Sequence, residues 1–264
     1  MGKNLIYTGV FISEDYIDLL YLWMKSLCLY GNLDRNNTEI LIFTSEKFVL
    51  PICDKLKDLE TYRIPIFFHT FGEGHMTCIM QACSCRFQIF NNGFIQNYDK
   101  ILYLDTDILF NNDVGKLFNL ELDDNKIYAT KCGYIGHIYW GANHIDFEKF
   151  DKTTPGFCSG AMLFKNSWQM RKLFDDTNDL IWYTLNTNQH IITNCYDQPF
   201  INTIAITQDK YDNELLNEFI INNPGTTFDD SIVVYHFLGG LGDGVAKYEK
   251  MIEYMAIMEE NKKI

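Results

Sequence analysis

The sequence predicts an α/β fold, a parallel sheet with helices on both faces. Three observations carry that expectation. Short continuous apolar runs, the pattern of strands covered on two sides, alternate with longer stretches of helical periodicity. With 264 residues, 47% hydrophobic and 22% charged, the chain can bury one full core. Carboxylates gather where an apolar run ends, most clearly in KILYLDTDILF (100–110), and in such sheets the ligand site lies beyond the carboxyl ends of the strands.

In chain order, NLIYTGV (4–10) reads as the first strand. Ser13 then caps a helix whose first turn carries Glu14 and Asp15, favourable at the positive end of the helix dipole, and whose apolar periodicity runs through Leu29 until Gly31 ends it. EILIF (39–43) is a second buried strand, 45–59 a helix interrupted near Pro51, and RIPIFFH (63–69) a third strand. One long helix is expected from about Met76 to Gln96, leading into the strand that ends at Asp105. In the second half, TTPGFCSGAMLF (153–164) joins a turn to an apolar run, helices are expected over 166–176 and from near Asp197, and SIVVYHF (231–237) is a late strand. Residues 247–264 close the chain as an amphipathic helix. No linker-like shift in composition divides the halves, so a single domain is expected.

Composition excludes several classes. A formal charge of −13 argues against a general nucleic-acid binder and against adhesion to anionic membrane through a basic face. The start, MGKNLIYTGVFISEDY, suits neither a secretory signal nor a membrane span, and a cytoplasmic location is expected. Among the eight cysteines, Cys78, Cys83 and Cys85 are close but lack a matching pair at zinc-ligand spacing, so reduced thiols are expected.

The chemistry centres on Asp105 and Asp107. Burying carboxylates is costly without a compensating cation, and no Lys or Arg follows Lys100 in that stretch. A hard cation, Mn²⁺ or Mg²⁺, prefers oxygen ligands and keeps positions open for phosphate. His236 ends another apolar run and offers a third ligand, with the core histidine as the plainer reading. FLGGLGDG follows it, with Gly239, Gly240, Gly242 and Gly244 letting amides approach a phosphate, and then Lys247. Arg86 lies among cysteines and aromatics ahead of the Asp105 strand, while Asp197 and Gln198 open a helix.

In order, RFQIF…YDKILYLDTDILF, FCSGAMLF, YDQPFIN and VVYHFLGG resemble the glycogenin-like glycosyltransferases of family 8, from about Leu5 to Lys247. The resemblance implies a GT-A fold, a Rossmann-like mixed and mostly parallel sheet flanked by helices. Residues to about 110 would bind the nucleotide, and 111–264 the sugar and acceptor. It implies Mn²⁺, a UDP-sugar donor with UDP-glucose favoured, and transfer with retention to a glycan or protein acceptor; a homodimer is left open. Asp105, Asp107 and His236 would hold the metal, with Asp105 also near the donor ribose. Thr8 and Val10 would meet uridine through backbone contacts, Arg86, Ser159 and Gly160 would flank the donor, and Gly239 and Lys247 the diphosphate. Asp197 and Gln198 would line the reacting centre.

The pattern departs from the family at Cys158, where Asn is usual, at Gly242 and Asp243, which replace a late Lys-Pro-Trp, and in a longer Arg86-to-Asp105 interval. Two rival readings are a haloacid-dehalogenase-like phosphatase, disfavoured because Ile108 and Leu109 follow the acids, and a non-catalytic nucleotide-sugar or glycan-binding module. For the acceptor, the aromatic stretch 133–150 offers Tyr134, His137, Tyr139 and Trp140.

Overall fold

The computed structural model describes residues 2–72, 79–187, 195–239 and 244–262. Seven strands form the main sheet: β1 (Lys3–Val10), β2 (Thr38–Ser45), β3 (Ile66–Phe71), β4 (Tyr98–Leu104), β6 (Ile127–Tyr134), β7 (Pro155–Lys165) and β8 (Tyr211–Asp212), in the order β3-β2-β1-β4-β7-β6-β8. β3, β2, β1 and β4 run parallel, β7 is antiparallel to β4 and to β6, and β8 is parallel to β6. A small second sheet joins β5 (Ile108–Phe110), β10 (Val234–His236) and β9 (Ile220–Asn222) in the order β5-β10-β9. The expected α/β architecture with a mostly parallel sheet is present.

Among the described residues seven helices surround the sheets: α1 (Asp15–Tyr30), α2 (Glu46–Lys55), α3 (Ile79–Ser84), α4 (Gly115–Phe118), α5 (Trp168–Asn186), α6 (Gln198–Thr207) and α7 (Gly244–Lys262). Side chains alternate across each strand, so the sheet feeds two cores. Ile6, Ile40, Ile42, Leu102 and Leu104 pack with Leu20, Trp23 and Met24 of α1 and Phe48 of α2. On the opposite face Leu5, Leu41, Phe43 and Ile101 pack with Phe87 and Phe90, with Phe174 of α5 and with Phe200 of α6. A third cluster, including Leu19, Tyr235, Tyr254 and Met258, seats α7 against α1 and β10.

Local chemistry explains the boundaries. The Ser13 hydroxyl accepts the Asp15 amide at 3.3 Å, and Gly31 ends α1 where an added Cβ would lie 2.5 Å from Leu27 Cδ1. The Ser167 hydroxyl caps α5 by accepting the Met170 amide at 3.1 Å.

Three expectations are corrected. α2 continues through Pro51 to Lys55. The long helix proposed for 76–96 is, within the described residues, α3 followed by 3₁₀ turns at Cys85–Asn91 and Gly93–Asn97. There Asn92 Nδ2 donates to the carbonyls of Gln88 and Ile89, a side-chain alternative to the helical ladder. The late strand shrinks from 231–237 to Val234–His236, because Asn111 Nδ2 holds the carbonyls of Asp229 and Ile232 in a loop.

Candidate active site

A cavity of about 550 Å³ opens at the carboxyl ends of β1 and β4. Of the residues singled out in the sequence, Arg86, Asp105, Asp107, Ser159, Gly160, Asp197, Gln198, His236, Gly239 and Lys247 all line it. Thr8 and Val10 do not. Both side chains are fully buried in β1, Val10 within the core beneath α1, and Gly9 and Phe11 line the cavity instead. Gly240, Gly242 and Asp243 lie outside the described residues.

The cavity floor holds two buried charge clusters. In the first, Arg86 reaches Asp105 Oδ1 through Nη2 at 3.2 Å and Asp197 Oδ2 through Nε at 3.1 Å. Its Nη1 donates to the Ser159 carbonyl at 2.8 Å and its Nε to the Cys83 carbonyl at 2.9 Å. The guanidinium lies 4.4 Å over the Tyr103 ring, and the Tyr103 hydroxyl donates to Asp105 Oδ1 at 2.5 Å. Burial raises the Asp197 pKa to about 6 against the pull of Arg86, with nearby Asp105 adding to the rise.

In the second cluster, Lys247 Nζ donates to Asp107 Oδ2 at 2.5 Å, and His236 Nε2 lies 3.3 Å from Asp107 Oδ1. Burial alone would raise the Asp107 pKa, but Lys247 and then His236 hold it far below the usual carboxylate range. Burial opposes a charged His236, and the Asp107 carboxylate outweighs it, raising the imidazole pKa to about 10. On the far side of the ring, His236 Nδ1 meets Asn222 Oδ1 at 3.1 Å, and Asn222 Nδ2 donates to Thr130 Oγ1 at 2.9 Å. An amide oxygen accepts only, so Nδ1 carries the proton in that bond.

Asp105, Asp107 and His236 each offer a ligand atom, all within 4.8 Å of one another. These residues fit a hard divalent cation. Asp107 Oδ1 and His236 Nε2 are buried with no hydrogen-bond partner, and Gly160 leaves a hollow where an added Cβ would sit 2.4 Å from His236 Cε1 and 2.6 Å from Asp105 Oδ2. Gly239 similarly admits the Lys247 stem, whose Cε would lie 2.9 Å from a Cβ there.

Beside these clusters Gln198 braces two segments. Its Oε1 accepts the Ser159 amide at 3.2 Å and its Nε2 donates to the Tyr139 carbonyl at 3.1 Å. Asn202, one turn along α6, donates to the carbonyls of Gln198 and Phe157 and accepts the Phe157 amide. Cys158 stays a free, buried thiol with its sulfur 4.0 Å from His236 Nδ1. The seven described cysteines are all free.

Sequence reasoning missed Tyr103, Asn222, Thr130 and Asn202. Tyr103 had a signal, since it lies two residues before Asp105 in an alternating strand. Asn222 had none: only the parallel pairing of β9 with β10 sets it opposite His236.

A mostly parallel sheet carries a cation-ready acid pair at a strand end, and comparison with known proteins gives the class of this fold and site. The sequence model of glycosyl transferase family 8 matches residues 32–241. The chain belongs to glycosyl transferase family 8. No curated protein matches it in sequence. Among solved structures, the fold resembles the galactosyltransferase LgtC, in complex with donor and acceptor sugar analogues, at 15% identity and a TM-score of 0.63, over 96% of this chain and 95% of that one. It also resembles the apo bifunctional glycosyltransferase WbbM at 13% identity and a TM-score of 0.62, over 98% of this chain. The chain spans about half, 51%, of the length of WbbM. Family membership makes the chain a glycosyltransferase and removes the phosphatase reading. Among the described residues, no helix is long and apolar enough to cross a membrane.

Proposed function

We propose that the chain transfers a hexose from a UDP-sugar, UDP-glucose favoured, to an acceptor hydroxyl with retention at the anomeric carbon. The observation that carries this reading is the convergence of Asp105, Asp107 and His236 at the floor of a cavity that also holds Arg86, Asp197, Gln198 and Lys247. The likeness to a galactosyltransferase solved with sugar analogues supports a sugar donor.

Transfer breaks the bond between sugar C1 and the β-phosphate oxygen, and the electron pair leaves with UDP. Asp105, Asp107 and His236 would hold a Mn²⁺ or Mg²⁺, which supplies positive charge for the diphosphate when bound. Lys247 and the amides near Gly239 would contact the same diphosphate from the start of α7. Arg86, neutralised on one edge by Asp105 and on another by Asp197, orients both acids toward the donor. Ser159 and Gly160 form the wall beside the sugar, and residues up to about 110 carry the nucleotide.

Attack from the front face fits these side chains better than a covalent intermediate. Gln198 is a poor nucleophile, and Asp197 is held through Oδ2 by Arg86. The acceptor oxygen bonds C1 as UDP departs, and its proton passes to the departing diphosphate.

The test is UDP release from a panel of UDP-sugars, with Mn²⁺ or with EDTA, paired with UDP binding by calorimetry. Metal-dependent release from one donor names the sugar. A protein that neither releases nor binds UDP defeats the reading.

A further inference from the structure

We propose that Tyr103 is a positioning residue of the transfer site: its hydroxyl decides which Asp105 oxygen faces the cation, and its ring carries the Arg86 guanidinium. This deepens the transferase reading above and rests on it. Among the described residues, both donors that meet the Asp105 carboxylate, the Tyr103 hydroxyl at 2.5 Å and Arg86 Nη2 at 3.2 Å, take the same oxygen, Oδ1. Asp105 Oδ2 is left to the hollow at Gly160, where an added Cβ would lie 2.6 Å from it and 2.8 Å from His236 Nε2. The second acid repeats the arrangement. Lys247 holds Asp107 Oδ2, and Oδ1 stands buried without a hydrogen-bond partner, 3.3 Å from His236 Nε2. Each carboxylate thus has one oxygen held by a protein donor and one turned toward His236.

Sheet register places Tyr103 for this task. It stands two residues before Asp105, on the face that strand alternation gives to that acid, and directly opposite Tyr7 of β1. The two phenol rings meet edge to face with 4.9 Å between centroids, and the Tyr7 hydroxyl donates to the Arg86 carbonyl at 2.9 Å. Arg86 in turn lays its guanidinium 4.4 Å over the Tyr103 ring. Packed by Tyr7 and covered by Arg86, the Tyr103 hydroxyl has little freedom.

An aspartate needs such a hold because its terminal torsion is soft. Rotation about Cβ–Cγ is broad and nearly two-fold, so one contact at 3.2 Å does not choose between Oδ1 and Oδ2. A phenol is protonated at neutral pH and donates to a carboxylate, so a second donor on the same oxygen makes the choice. A misplaced ligand oxygen has two effects in this site. It weakens the hold on a cation, and it withdraws the carboxylate from the guanidinium fork that also serves Asp197. Neither effect requires Tyr103 to touch the donor.

Tyr7 supplies the comparison that separates positioning from packing, since it too is a buried phenol beside Arg86. The experiment measures the binding of Mn²⁺ alone to the full chain by electron paramagnetic resonance, beside the melting temperature, in wild type, Tyr103→Phe and Tyr7→Phe. Each variant deletes one buried phenolic oxygen and keeps the ring, so each is expected to melt a few degrees lower. Tyr103→Phe is expected to raise the dissociation constant for Mn²⁺ about tenfold, the lower end of what outer partners of a metal site supply. Tyr7→Phe, whose lost bond went to a backbone carbonyl, is expected to stay within about twofold of wild type. Tyr103→Leu also removes the face beneath Arg86 and is expected to lower kcat for UDP release about tenfold relative to Tyr103→Phe at saturating Mn²⁺.

An unchanged Mn²⁺ affinity in Tyr103→Phe overturns the inference, as does an equal weakening in both phenylalanine variants, which marks a general loss of packing. Equal kcat in Tyr103→Leu and Tyr103→Phe removes the role of the ring. Wild-type protein that binds UDP and no Mn²⁺ overturns the inference and spares the transferase. Wild-type protein that binds no UDP defeats the transferase reading itself, before any variant is made.

Discussion

The two aspartates at the end of β4 are separated by one residue and stand in opposite electrostatic settings. Asp105 belongs to the Arg86 cluster, where each guanidinium nitrogen is engaged: Nε with Cys83 and Asp197, Nη1 with Ser159, Nη2 with Asp105. The plane is also stacked on Tyr103. Asp107 belongs to the Lys247 cluster, where an ammonium on a flexible stem makes one short contact from the first turn of α7. A planar, delocalised fork with several partners is costly to move, whereas a point charge with one partner yields readily. Burying charge can thus build a framework or a replaceable counterion. The Arg86 side is framework, and the Lys247 side is where a bound cation would take over charge compensation.

Asp107→Asn tests the replaceable side and carries the largest expected effect. It removes charge from the cation site and leaves buried Lys247 and His236 without their counterion, so metal-dependent UDP release should fall about 1000-fold and the melting temperature should fall as well. Near-normal rates with intact Mn²⁺ dependence would break the assignment.

Arg86→Lys tests the framework side by keeping charge and deleting the fork. We expect kcat/KM to fall about 100-fold through misplaced acids, together with a lower melting temperature because Asp105, Asp197 and Ser159 cannot all be served by one ammonium. Wild-type kinetics in this variant would erase the distinction between the clusters.

Asn222→Ala sharpens the comparison on the His236 side. Loss of the acceptor for Nδ1–H frees the ring, and Mn²⁺ affinity, read by electron paramagnetic resonance, should weaken about tenfold. An unchanged affinity would mean the ring is oriented by packing alone.

The smallest effect concerns pH. The Asp197 pKa is raised from 3.8 to about 6 by burial, so the folded protein holds this proton more tightly than the unfolded chain. Its contribution to stability is present below about pH 4 and is lost as pH rises through about 6. Wild type should therefore lose a few degrees of melting temperature relative to Asp197→Asn across that window, and turnover should rise over the same window as Asp197 ionises opposite Arg86. Parallel melting profiles for the two proteins would place the raised pKa elsewhere.

Much of the site was legible because its residues close apolar runs. Asp105, Asp107 and His236 each follow a strand of continuous hydrophobic residues, and that pattern marks a strand end without any knowledge of partners. Arg86 was legible only as an arginine among buried residue types. Thr8 and Val10 were read as backbone contacts at the right strand end; alternation turns their side chains inward, and Gly9 and Phe11 of the same segment line the cavity. The helix expected over 76–96 failed where Asn92 diverts its own backbone, a competition that periodicity does not register.

By itself the sequence determined the alternation of strands and helices along the chain and the strand-end location of the acids, because these depend on local spacing and side-chain type. The tertiary structure alone decided which charge faces which acid. β7 brings Gly160 against Asp105, α7 brings Lys247 to Asp107, and β9 sets Asn222 behind His236, pairings across 55, 140 and 14 residues of chain. Electrostatic compensation depends on distance and burial in space, and a linear pattern carries neither.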